Sequence, residues 1–154
     1  GIFAAKLGLT QLEFFHRRGF LNTAFKERRF LYLFRKDTLA QAISLEIAAQ
    51  TRNWKASADH RPADTSPEYS RKRIELKREG IEKKYRQFEA YFERHDLRPL
   101  AVCFEELVRE PAGILQAVGE FLGHPLEFGP EVENVRFTPD PIKAEWRLRF
   151  LDGN

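Results

Sequence analysis

Three short apolar runs, residues 2–7, 30–34 and 100–104, constrain the fold more than anything else in this chain. Each has the length of a strand, and none alternates cleanly between apolar and polar residues. Continuous apolar runs suit strands covered on both faces, as in parallel sheets. Helical patterns separate the three runs, which is the arrangement of an α/β protein. At 154 residues the chain is the size of one domain, large enough to bury roughly 70% of its unfolded surface. The expected architecture is therefore a single domain over residues 1–154, with a mostly parallel sheet flanked by helices in three layers.

The helical segments carry recognisable ends. Thr10, Gln11, Leu12 and Glu13 have the capping-box order, predicting a helix start at Thr10. Asp37 can cap a helix running to about Gln50, with Leu39, Ile43 and Ile47 as its apolar stripe. Residues 52–67 contain two prolines and no periodicity, so they read as a mobile surface loop. A long helix is expected from about Pro67 to His95, packing through Ile74, Ile81, Tyr85, Phe88 and Phe92. Pro111 suits the first turn of another helix, Ile114, Leu115, Val118, Phe121 and Leu122 form its buried face, and Gly123 supplies a left-handed stop. A short helix around Trp146 is expected over residues 141–150.

Composition excludes several classes. Hydrophobic residues make up 42% and charged residues 32%, too apolar for a disordered tail and too charged for a membrane protein. No apolar run approaches the roughly 20 residues needed to cross a bilayer. Cys103 is the one cysteine and cannot form an internal disulfide, so a reducing cytoplasm is the expected location. The Asp, Glu and His residues show no metal-ligand spacing, and no metal is expected. The chain contains no methionine, a sign that residues are missing from it. The net charge of +3 is unevenly spread: residues 16–36 hold seven Lys/Arg against one acid, and residues 103–154 hold five against ten. The basic excess thus falls just before Asp37.

At that point the chain reads Phe30-Leu-Tyr-Leu-Phe-Arg35-Lys36-Asp37-Thr38, followed by Gln41 and Ser44. A buried strand delivers Arg35 to its C-terminal end and a helix starts at once. The guanidinium, the free N–H groups and the positive helix end are expected to converge there, as in anion sites. Gln41 and Ser44, three apart, share the polar face, where the Ser44 hydroxyl can join Arg35 on one phosphate. By spacing alone two blander alternatives stand: an Arg35–carboxylate pair, and a Ser44 hydroxyl bonded to its own helical turn. Trp54 can stack on a sugar or an adenine, or can cap the helix as a packed core residue.

These residues resemble bacterial carbohydrate sulfotransferases of the trehalose sulfotransferase type. The resemblance is carried by Phe34-Arg35-Lys36-Asp37, Gln41-Ala42-Ile43-Ser44-Leu45 and Gln50-Thr51-Arg52-Asn53-Trp54. Ile2 to Lys6, Phe104-Glu105-Glu106-Leu107 with Phe121-Leu122-Gly123, and the tail from Pro141 to Phe150 add matches on both sides. The resemblance implies a fold like that of the P-loop nucleotide kinases and transfer of a sulfuryl group from 3′-phosphoadenosine 5′-phosphosulfate to a carbohydrate hydroxyl. It assigns Arg35 and Ser44 to the donor's 3′-phosphate. A sugar or glycolipid is the expected partner, nucleic acid is not, and a homodimer stays open.

The chain departs from the family pattern in its reacting half. The glycine/serine-rich loop that cradles the phosphosulfate is absent, and the family's proposed glutamate base falls before Gly1, so a strand and that loop are expected upstream. Lys6 matches a family lysine, but the histidine that follows two positions later in related animal enzymes is here Gly8. None of His16, His60, His95 and His124 is expected to act as a base. Two other readings compete: a non-catalytic α/β interaction domain, and a nucleic-acid module built on the basic stretch, which would bind with steep salt dependence.

Overall fold

The computed structural model describes residues 3–24, 27–54, 66–125, 129 and 140–153. Two of the three apolar runs are strands: β1 (Leu31–Phe34) and β2 (Leu100–Cys103) pair in parallel, with Leu31 opposite Leu100 and Phe34 opposite Cys103. Parallel strands need a long crossover, supplied here by two helices, α3 (Thr38–Thr51) and α4 (Arg71–Arg94). Among the described residues the protein is mixed α/β, mostly helical, with this one two-stranded sheet.

The run at residues 2–7 is not a strand where it is described: residues 3–8 carry no regular structure and Phe3 is exposed. An apolar run becomes a strand only by hydrogen bonding to a neighbour, and neither outer edge of the sheet takes it. Nor is β1 covered on both faces. Tyr32 packs against Phe88 and Phe92 of α4, with ring centroids 5.6 and 5.4 Å apart, while Leu31 and Leu33 remain 46% and 57% exposed.

Helix α1 (Leu9–Arg17) begins before Thr10. Gly8 is its N-cap, and the Gly8 N–H donates to Gln11 Oε1 at 2.6 Å, so glutamine rather than Glu13 reaches back to the cap. Gly19, at φ 73°, turns the chain into the short α2 (Phe20–Thr23). Helix α4 starts at Arg71, later than expected, where Ser70 Oγ accepts from the Arg73 N–H. The later helices are α5 (Phe104–Arg109), α6 (Pro111–Leu122), ended by Gly123 at φ 70°, and α7 (Pro141–Leu151), capped by Asp140. Residues 55–65 of the expected loop lie outside the described residues.

Two cores meet on α4. Leu39, Ala42, Ile43 and Ile47 of α3 pack with Ile74 and Ile81 of α4 and with Trp146 and Phe150 of α7. Nearer the C-terminal end of α4, Tyr91 and Phe92 pack with Leu12 and Leu21. Each large apolar side chain buried this way contributes about 1.5–3 kcal/mol. Tyr91 was not among the expected core residues of α4, whereas Tyr85 and Phe88 are only partly buried. The apolar face of α6 is likewise covered in part: Val118 is buried, and Ile114, Leu115, Phe121 and Leu122 are half-buried.

Because α3 and α4 run antiparallel, a carboxylate can be buried between them. Glu46 is 3% exposed, yet Arg73 and Lys77 reach it at 2.9 and 3.3 Å, and Gln50 donates to it at 2.7 Å. A buried charge persists only with such partners.

Candidate functional site

The corner between β1 and α3 forms as the sequence suggests, with Arg35 directly after the strand and Asp37 as the helix cap. Asp37 Oδ1 accepts from the Ala40 N–H at 2.9 Å, and Asp37 Oδ2 takes Arg147 Nη1 of α7 at 2.6 Å. The carboxylate thus caps α3 and ties α7 to it.

The expected cluster of free N–H groups is not there. Glu105, in the first turn of α5, lays its carboxylate across the corner: Oε2 accepts from the Lys36 N–H at 3.1 Å and Oε1 from the Asp37 N–H at 3.2 Å. The Cys103 thiol donates to Oε2 at 3.1 Å. Partial burial works against this charge, but the thiol and the backbone N–H groups of Lys36, Glu105 and Asp37 outweigh it and hold the carboxyl at about 2. The Thr38 N–H, in turn, donates to the Lys36 carbonyl. The N–H groups of Lys36, Asp37, Thr38 and Ala40 at this corner already have acceptors, so an anion arriving here would depend mainly on side chains.

Arg35 supplies one. Its guanidinium lies over the Phe104 ring, with Cζ 3.6 Å from the centroid, and among the described residues no carboxylate pairs with it. Stacking on a face fixes the plane of the guanidinium and leaves its N–H edges for a ligand. The blander Arg35–carboxylate alternative therefore does not hold among the described residues; Lys36 instead takes Glu106, at 2.6 Å.

Ser44 sits in the second turn of α3, half-buried. The back-bond to its own turn that spacing allowed is not made; that role falls to Thr51, whose hydroxyl donates to the Ile47 carbonyl at 2.9 Å. No hydrogen bond ties Ser44 to Arg35 among the described residues; the chain of bonds from Arg35 ends at Gln41, three residues earlier. Tyr85 Oη of α4 accepts from the Arg35 N–H at 2.9 Å and donates to Gln41 Oε1 at 2.7 Å, and Gln41 shares the helix face of Ser44 at i+3. Trp54 follows the α3 C-cap and is 67% exposed, so the packed-core alternative for it is overturned.

The histidines sit elsewhere. The His16 and His95 ring centroids lie 4.0 Å apart, with the rings tilted by 40°, where α1 meets the end of α4, and His16 Nδ1 hydrogen bonds the Tyr91 hydroxyl at 2.8 Å. Burial, then the adjacent His16 and Arg94, hold His95 below its ordinary value. His124 is exposed, and His60 lies outside the described residues. Lys6 is exposed in the irregular segment before α1. Among the described residues no group of three or more His, Cys, Asp or Glu could hold a metal ion, and no helix is long and apolar enough to cross a membrane.

Sequence reasoning missed Glu105, Tyr85 and Arg147 as parts of this corner. Glu105 lay in the quoted strand-end motif, and its place beside a strand terminus was the available signal. Tyr85 was read for its ring alone, and Arg147 carried no signal.

The corner thus sets Arg35, which has no carboxylate partner among the described residues, directly after a parallel strand and ahead of a helix capped by Asp37, with Ser44 in that helix's second turn. The family model for Stf0 sulphotransferase matches residues 11–152. The chain belongs to that sulfotransferase family, whose chemistry is sulfuryl transfer. No match was found among curated proteins.

Proposed function

We propose that the protein moves a sulfuryl group from 3′-phosphoadenosine 5′-phosphosulfate to a carbohydrate hydroxyl, as a cytoplasmic transferase with a P-loop nucleotide kinase-like fold. Family membership supports the reaction class. The observation that carries the donor assignment is the Arg35 guanidinium, stacked on Phe104 with no carboxylate partner among the described residues. A ribose 3′-phosphate carries close to two negative charges and accepts bidentate hydrogen bonds, and a flat guanidinium with a nearby hydroxyl, Ser44, suits it. Arg35 and Ser44 hold the donor in this reading and take no part in bond making. The bond between sulfur and the bridging oxygen of the donor's 5′-phosphate breaks as the acceptor oxygen bonds to sulfur; its electron pair stays on the phosphate, the hydroxyl proton passes to solvent, and 3′,5′-adenosine bisphosphate leaves.

Trp54 offers an exposed ring, and the flat apolar face of a pyranose packs well on such a ring. That favours a sugar or glycolipid acceptor. Cys103, a free buried thiol, suits a reducing compartment.

The test is a transfer assay with radiolabelled donor and a panel of sugars, using the full-length protein. Wild type should label a sugar, and Arg35→Ala should raise the donor KM about tenfold or more, since a hydrogen bond to a charged group is worth about 1.5–3 kcal/mol. An unchanged donor KM would overturn the assignment.

A further inference from the structure

We infer that Tyr85 is a positioning residue of the donor site, holding the end of β1 against the polar face of α3 so that Arg35 and Ser44 address one phosphate. The inference rests on the donor reading above and adds a residue from a helix that reading does not use. Tyr85 is divided between two environments. Its ring packs against the α3/α4/α7 core and lies edge-on to Tyr32 at 6.3 Å, so the core fixes where the ring sits. Its hydroxyl leaves that core and enters the corner, accepting from the Arg35 N–H at 2.9 Å and donating to Gln41 Oε1 at 2.7 Å.

Both hydrogen bonds cross between elements. One fixes the backbone from which the Arg35 side chain springs, and the other fixes a side chain one turn before Ser44 on the same face. Since the hydroxyl spends its one proton on Gln41, it has none to give a reacting atom, and Tyr85 acts through its neighbours rather than on the substrate. A site whose two gripping groups come from different elements needs such a brace, because small misplacement of either group costs affinity steeply. Thr38, Arg78 and Glu82 form a second α3–α4 tie one turn along: the Thr38 hydroxyl donates to Glu82 at 3.0 Å and Arg78 Nε reaches both. Loss of the Tyr85 hydroxyl should therefore leave the two helices docked.

The experiment is calorimetric titration of the full-length protein, as wild type, Tyr85→Phe and Arg35→Ala, with 3′,5′-adenosine bisphosphate and with adenosine 5′-phosphate, which lacks the 3′-phosphate. Tyr85→Phe keeps the ring and removes only the hydroxyl. It should weaken the bisphosphate about 5- to 10-fold and change the 5′-phosphate less than about 2-fold, a selectivity that a general packing defect would not produce. Should Tyr85→Phe fold poorly, Gln41→Leu, which removes the acceptor alone, carries the same expectation. If Arg35→Ala weakens the bisphosphate while Tyr85→Phe and Gln41→Leu do not, or if they weaken both ligands equally, the positioning role is overturned and the donor site stands. If Arg35→Ala binds the bisphosphate like wild type, the donor reading itself fails and the role of Tyr85 falls with it.

Discussion

Replacing Glu105 with glutamine should remove a pH-dependent brace from the β1–α3 corner. The carboxylate accepts three hydrogen bonds from Lys36, Asp37 and Cys103, at 3.1, 3.2 and 3.1 Å, and is held at about 2 against an ordinary 4.5. At about 1.4 kcal/mol per pH unit that difference corresponds to roughly 3 kcal/mol, which partial solvent access reduces to about 2 kcal/mol. The direction follows from linkage. A carboxyl whose folded value is depressed contributes fully above its unfolded value, and the contribution disappears as pH falls through the folded value. The stabilisation should thus be present above about pH 4.5 and be lost between there and about pH 2.

Urea unfolding of wild type and Glu105→Gln, followed by circular dichroism across that range, measures it. The glutamine variant should be less stable by about 2 kcal/mol near neutrality, and the two curves should converge as pH falls towards 2. Taking the difference between the proteins cancels titrations they share, including that of Glu106. A gap that is the same at every pH would refute the reasoning, because it would show that the variant loses packing rather than a charge.

Trp146→Ala should destabilise the protein by about 3–5 kcal/mol in the same assay, since Trp146 is 3% exposed in the α3/α4/α7 core; a loss under about 1 kcal/mol would contradict that core. Glu46→Ala should cost about 1–2 kcal/mol, as it strands Arg73 and Lys77, which are partly solvated, but buries no unpaired charge; an increase in stability would show that burial of the carboxylate costs more than its partners return. Trp54→Ala should leave thermal unfolding within about 0.5 kcal/mol of wild type while raising the acceptor KM. An unchanged acceptor KM would remove Trp54 from the sugar site.

Local signals were the ones legible in the sequence. Asp37, Pro111 and Gly123 mark helix ends through their own chemistry, and each helix ends or begins there. The runs in β1 and β2 are strands because each finds the other, whereas residues 3–7 pair with no edge among the described residues. Strand formation depends on a distant partner, which apolar composition alone does not reveal. The corner shows the same limit. The positions of Arg35 and Ser44 could be read from spacing, but Glu105, 68 positions from Asp37, takes the N–H groups that were expected to be free. Glu46, a carboxylate that the sequence gives no local reason to bury, is buried because Arg73 and Lys77 lie opposite it on an antiparallel helix.

Whether Arg35 and Ser44 hold the donor is decided by a crystal structure of the protein with 3′,5′-adenosine bisphosphate bound. The 3′-phosphate is expected within about 3 Å of both the Arg35 guanidinium and the Ser44 hydroxyl, with Arg35 still resting on Phe104. A 3′-phosphate bound away from Arg35, or an Arg35 turned to a carboxylate in the complex, would contradict it.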